Sequence, residues 1–158
     1  MREYSEELAE LIKEFLAEDN WNYDFNEDEG NFSFSLTIDS KLKHLRYYIH
    51  VHGEAYTVYA VSPLNADNDD KPVMSTLAEF ICRANYGLRN GNFELDMRDG
   101  EIRYKIFVDC EDSLPSQAIV KRSIVIPCVM FEKYSRGILD VMFKGLSSEE
   151  AVSECENA

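Results

Sequence analysis

The sequence predicts an α+β fold in which helices pack on one antiparallel sheet of five to six strands. Three observations indicate this class. Two stretches alternate apolar and polar residues across short turns, as hairpins do. Segments with helical spacing precede, separate and follow the strands. Strands come in a run of four and then a run of two, so helices and strands do not alternate singly as a parallel sheet requires. The predicted order is α-ββββ-α-ββ-α.

The first helix is predicted over residues 5–18. Ser5 is a suitable N-cap, the first turn is acidic, and apolar residues recur at helical spacing from Leu8 to Phe15. Alternating residues then predict a short strand at 21–25 and a longer one at 32–38, separated by a polar turn.

The third and fourth strands form a hairpin over residues 45–61. Gly53-Glu54 fits a two-residue type II′ turn, which favours glycine first. The resulting register predicts two pairs that face the core and two that face outward: Ile49 with Val58, Val51 with Tyr56, Tyr48 with Tyr59, and His50 with Thr57.

A polar loop at 62–72 leads into the second helix, which has Pro72 in its first turn and ends at Asn85 or Gly87. A second hairpin follows, with Asp99-Gly100 as a type I′ turn. This turn predicts three oppositely charged outer pairs and three apolar inner pairs: Arg98 with Glu101, Asp96 with Arg103, Glu94 with Lys105, Met97 with Ile102, Leu95 with Tyr104, and Phe93 with Ile106.

The closing helix begins near Ser113 or Ser116 and extends to Gly145. Pro127 removes a backbone hydrogen bond, so a kink or break is predicted near residues 123–127. The helix is apolar on more than one side, which predicts contact with the sheet and with a further surface, such as a second subunit. Residues 147–158 form an acidic tail, in which Ser147 and Glu150 match a capping box for a short helix.

Length and composition predict one domain over residues 1–146, followed by that tail. No run of about 20 apolar residues is present, and the N-terminus lacks an apolar signal core. Four scattered cysteines without a Cys-x-x-Cys motif indicate reduced thiols and a cytoplasmic protein. The net charge of −14 disfavours binding to nucleic acid or to an anionic membrane, and otherwise serves solubility.

The segments 80–86, 91–96 and 100–105, together with the long helix ending at Lys144-Gly145, resemble the YbjN-like proteins, a bacterial family associated with the regulation of sensory transduction. The resemblance covers about residues 77–145. It implies a fold similar to type III secretion chaperones, which are small acidic dimers that hold an extended segment of another protein. It supplies no catalytic residues.

Sites for chemistry are sparse in the sequence. His50 and His52 are two apart on a predicted strand and face the same way, which can begin a zinc site but leaves the remaining ligands unsupplied. Two solvated histidines are the simpler interpretation. No nucleophile motif, phosphate-binding loop or calcium loop is present. We therefore expect no cofactor and no catalytic residues.

Contact residues are predicted on two elements. Tyr48, Tyr59 and Phe107 occupy outward strand positions, where they are either covered by a helix or a dimer partner or serve as an aromatic docking surface. The last helix contributes three further apolar candidates: Ile124, Phe131 and Ile138. The sequence thus predicts a non-catalytic protein-binding module, chaperone-like or regulatory, that forms a homodimer and binds a protein or peptide segment. The alternative is an enzyme or metal-binding protein whose site matches no motif.

Overall fold

The structure is a computed structural model that describes residues 3–158. Met1 and Arg2, which begin the segment considered for a signal sequence, lie outside the described residues. The elements follow in chain order: α1 (Glu6–Glu18), β1 (Asp24–Asn26), β2 (Asn31–Thr37), β3 (His44–Val51), β4 (Ala55–Val61), α2 (Lys71–Asn85), β5 (Asn92–Leu95), β6 (Ile102–Asp109), α3 (Gln117–Lys144) and α4 (Ser148–Glu156).

All six strands form one antiparallel sheet in the order β1-β2-β3-β4-β6-β5. The helices pack on one face of this sheet. The apolar face of every long strand is buried there, with α3 lying against β4 and β6 and α2 against β5. The predicted α+β class and element order are confirmed. Among residues 3–158, no helix has the length and apolarity needed to cross a membrane.

The first strand is shorter than predicted, and residues 21–23 do not belong to it. The backbone N–H of Trp21 donates to the carbonyl of Leu16 at 2.9 Å, which ties the chain to the end of α1. The Trp21 ring then packs edge-on against Phe34, with ring centroids 5.2 Å apart. Trp21, which the alternating pattern placed in a strand, therefore packs between the end of α1 and the core.

The β3–β4 hairpin has the predicted register in all four pairs. Its turn type was predicted wrongly, because Gly53 does not have the positive φ that a type II′ turn requires at this position. The position and length of the two-residue turn were thus sufficient to predict the register, although the turn type was wrong.

The β5–β6 hairpin is shifted by two residues from the prediction. The N–H of Gly100 donates to the carbonyl of Asp96 at 2.8 Å, which closes a four-residue loop in place of a type I′ turn. Glu94 therefore lies opposite Arg103, and Met97 is exposed in the loop rather than paired with Ile102. Because a strand repeats every two residues, this shift leaves each side chain on its predicted face.

Tertiary packing explains the loop. Gly100 has φ of +78°, and its carbonyl accepts the N–H of Ala66 at 2.9 Å. A Cβ atom at Gly100 would lie 2.0 Å from the carbonyl oxygen of Ala66. The loop at 62–70 therefore packs directly on the hairpin end and selects its conformation.

The helix α3 is continuous through Pro127, so of the predicted kink or break the break does not occur. Of the two residues predicted as the start of this helix, Ser113 and Ser116, Ser116 is the N-cap. Side chains from the sheet bond to the helix in the turn before the proline: the Tyr47 hydroxyl donates to the carbonyl of Ile124 at 2.7 Å, and the Tyr56 hydroxyl lies 2.9 Å from Ser123 Oγ. These contacts hold the helix onto the sheet at the point where it lacks a backbone donor.

The predicted capping box at Ser147 and Glu150 is confirmed, and it begins α4. This helix packs against α2 and α3 and buries Ala151, Val152 and Cys155. Its side-chain hydrogen bonds include one from Tyr134 to Glu156 at 2.9 Å.

Candidate protein-contact surface

The face of the sheet opposite the helices is not covered by any element within residues 3–158. We call this surface the open sheet face and define it by seven central side chains: Tyr48, His50, Thr57, Tyr59, Arg103, Lys105 and Phe107. Tyr48 is 38% exposed and Phe107 is 58% exposed, while Tyr59 is half-buried between them. The structure thus places the three aromatic residues predicted for partner contact on one surface.

Cations lie beside the aromatic rings of this surface. The Arg103 guanidinium lies 4.0 Å from the centre of the Tyr59 ring, and the Arg46 guanidinium lies 5.8 Å from that of Tyr48. The His50 ring meets Tyr59 edge-on at 5.5 Å. Cation–π contacts of this kind hold the side chains in place over the sheet.

Two cations, Arg103 and Lys105, lie at the centre of the open sheet face, although the protein carries a net charge of −14. Glu94 pairs with both of them, with Arg103 at 2.9 Å and with Lys105 at 3.3 Å. Arg46 adds a further cation, while Asp24 and Asp109 lie at the margins. The surface therefore combines exposed aromatic area with cations at its centre and carboxylates around them.

The three candidates on the last helix require a correction. Ile124, Phe131 and Ile138 are buried in the core, with 1% exposure or less, and they fix α3 to the sheet. They are not accessible to a partner in this conformation. The apolar residues of α3 that do reach solvent lie on the other side of the helix and include Ile119 and Val129.

His50 and His52 face the same side of the sheet, as their spacing indicates. His52 Nε2 lies 3.3 Å from Thr57 Oγ1, and the pKa of His50 is lowered mainly because the ring is partly buried. In the part of the chain that the structure describes, no three His, Cys, Asp or Glu side chains converge as metal ligands would.

The buried thiols are poor nucleophiles. Burial raises the pKa of Cys128 to about 11, and it also raises the pKa of Cys110 and of Cys155. Since the thiolate is the reactive form, these cysteines remain protonated at neutral pH.

One groove has a volume of about 640 Å³ and lies between residues 39–41 and the C-terminal half of α3. Its buried carboxylate, Asp140, is bonded to Lys144 at 3.1 Å and to Arg136 at 3.6 Å. Glu132 accepts the backbone N–H of Asp39 at 3.0 Å. Both carboxylates have partners within the protein, and Glu132 also accepts a hydrogen bond from the Cys128 thiol at 3.6 Å.

Comparison with solved structures shows what the fold is similar to. A chain in the crystal structure of the ExsC–ExsE complex matches with a TM-score of 0.51 and 14% identity, over 84% of this chain and 96% of that chain. A chain in the structure of the HopA1–SchA chaperone–effector complex matches with a TM-score of 0.46 and 14% identity, over 78% and 88%. No family model matches the sequence, and no curated protein is significantly similar to it. The fold is similar to that of type III secretion chaperones, as predicted.

Proposed function

We propose that this protein is a non-catalytic protein-binding module, chaperone-like or regulatory, that acts as a homodimer. The observation that carries the proposal is the open sheet face, where Tyr48 and Phe107 reach solvent beside cations on the uncovered side of the sheet. The fold supports it, because a chain with the same fold is part of a complex between two proteins, ExsC and ExsE. Membership of the YbjN-like proteins and a cytoplasmic location belong to the same proposal.

The shape and chemistry of the surface favour a polypeptide over a small substrate. Aromatic side chains on a broad sheet offer contact area to apolar side chains of a partner, whereas small ligands are usually enclosed in a concave pocket. Arg103 stacked on Tyr59 presents both an apolar plane and hydrogen-bond donors. The protonated thiols and the structural use of Asp140 also argue against an enzyme.

The test is affinity capture of proteins from the native cells with three forms of the immobilised protein. One form carries Tyr48→Ser and Phe107→Ser. The matched control carries Tyr86→Ser and Phe143→Ser, which also removes two exposed aromatic rings, 92% and 70% exposed, but from outside the open sheet face. We expect a protein captured by the wild type and by the control to be lost from the first variant. Equal capture by all three forms would contradict the assignment of this surface.

The homodimer is tested separately by light scattering of the purified protein. We expect the mass of two chains at tens of micromolar protein. A monomer under these conditions contradicts the dimer while leaving the capture experiment interpretable, because the two measurements are independent.

A further inference from the structure

The outward side of α3 carries a regular stripe in its N-terminal half. We call Ile119, Arg122, Ile126, Val129 and Lys133 the α3 stripe; successive members are alternately three and four residues apart. This is the spacing with which one helix packs along another. The opposite side of the same helix, with Val120, Ile124 and Phe131, is buried against the sheet.

The α3 stripe is exposed in the described structure. Ile119 is 38% exposed and Val129 is 51% exposed, Ile126 is partly exposed, and both cations reach solvent. The helix α4 covers the later part of α3, where Tyr134 and Gly137 are buried, and leaves this part bare.

The charge of α3 is opposite to that of the whole protein. It has five Lys and Arg residues against two acidic residues, in a chain with net charge −14. Both acids are engaged elsewhere: Asp140 with Arg136 and Lys144, and Glu132 with a backbone N–H. Within residues 3–158, Arg122 and Lys133 have no carboxylate within ion-pair distance. An acidic protein thus keeps two cations without carboxylate partners in an exposed apolar stripe, and Lys133 Nζ lies 5.3 Å from the centre of the Tyr134 ring.

We propose that the α3 stripe binds an amphipathic helix of another protein, whose contacting seam alternates apolar and acidic side chains. The apolar members would pack in the spaces between Ile119, Ile126 and Val129, and the carboxylates would pair with Arg122 and Lys133. This occupant satisfies both the spacing and the charge. The stripe lies on the helical side of the molecule, so the inference goes beyond the function proposed for the open sheet face.

Two other occupants fit less well. A second copy would bring an identical stripe with the same cations, and like charges facing each other oppose association. An anionic membrane would attract the stripe but repel the rest of a protein with net charge −14.

The experiment uses two fluorescent synthetic peptides of three heptads. Both have Leu at the a positions; one has Glu at the d positions and the other has Lys there. We expect the Glu peptide to bind the wild-type protein at least about tenfold more tightly than the Lys peptide, as measured by anisotropy at low salt. In the variant with Arg122→Glu and Lys133→Glu, the preference should reverse.

A control variant with Lys41→Glu and Arg89→Glu makes the same change in net charge at exposed sites outside the stripe. It should keep the wild-type preference, as should the variant with Tyr48→Ser and Phe107→Ser, which separates this result from failure of the proposed function. Circular dichroism confirms that each variant is folded.

Several results would overturn the proposal. They are the absence of binding by either peptide, a preference that does not reverse in the stripe variant, and an equal reversal in the control. Loss of a dimer in the stripe variant would assign the stripe to a second copy. Binding to phosphatidylglycerol vesicles without binding to the Glu peptide would assign it to membranes.

Discussion

The two faces of the sheet use the same residue type in opposite ways. Tyr47 and Tyr48 are neighbours on β3, yet Tyr47 is fully buried and Tyr48 is 38% exposed. On β4, Tyr56 faces the core and Tyr59 faces outward. Because side chains alternate along a strand, position alone decides which tyrosine builds the core and which remains available for contact.

The surroundings of the rings differ accordingly. On the covered face, the hydroxyls have protein partners: Tyr47 donates to Ile124, Tyr56 bonds to Ser123, and Tyr104 donates to the carbonyl of Asn90 at 2.6 Å. Such bonds are required there, because a buried hydroxyl without a partner is costly. On the open face, cations lie beside the rings instead.

The difference between the two faces of the sheet is tested most strongly by truncating Tyr47 and Tyr48 to alanine. Tyr47→Ala should lower the free energy of unfolding by about 3–5 kcal/mol, since it leaves a large cavity and removes the buried hydrogen bond to the carbonyl of Ile124. Tyr48→Ala should change it by less than about 0.5 kcal/mol, because the ring is exposed. Urea unfolding followed by circular dichroism gives both values. Similar losses in the two variants would mean that the open face is packed like the core.

Packing on the covered side can also be tested from the helical layer. A Cβ atom at Gly137 would lie 2.6 Å from the Phe80 ring and 2.8 Å from Cys155 Sγ, both of them buried. Gly137→Ala should therefore destabilise the protein by about 1–3 kcal/mol. Gly53→Ala is the matched control, because nothing lies within 4 Å of its Cβ position and its φ is not positive. If thermal unfolding gave equal changes for both, the three helices would not be tightly packed at Gly137.

High pH should weaken the covered face through its tyrosines. Burial raises the pKa of Tyr56 to about 12 and that of Tyr104 to about 12, against about 10 in the unfolded chain. The folded state thus favours the neutral phenol. This contribution to stability is complete below about pH 10 and is lost as the pH rises towards about 12.

The measurement is urea unfolding at several pH values from about 9 to 11. Stability should decline over this range, and the decline should be shallower when Tyr56 and Tyr104 are both replaced by Phe. An equally steep decline in that variant would assign the effect to other groups.

The sequence was sufficient for one hairpin and insufficient for the other. In β3–β4, the two-residue turn at Gly53-Glu54 was placed correctly, and its length fixes the register that is observed. In β5–β6, a shift of two residues preserves every face, so alternation cannot distinguish the two registers. The choice depends on contact between Gly100 and Ala66, which are distant in sequence.

The candidate surface was predictable only in part for a similar reason. Strand alternation identified Tyr48, Tyr59 and Phe107 as one outward group. It did not show that the helices leave this face bare. In α3, apolar residues on several sides do not reveal which side meets the sheet, so Ile124 was chosen where Val129 is exposed. Which side of α3 is buried depends on how the whole sheet packs against the helix.

The smallest expected effect concerns the histidines of the open sheet face. Zinc sites use at least three protein ligands, and neither a cysteine nor a carboxylate joins His50 and His52 within residues 3–158 to complete one. The Thr57 hydroxyl already lies beside His52, and the His50 ring already contacts Tyr59. We therefore expect equimolar zinc to shift the melting temperature by less than about 1 °C. A rise of several degrees that disappears with His50→Gln would mean that this face binds metal and is not solely a surface for protein contact.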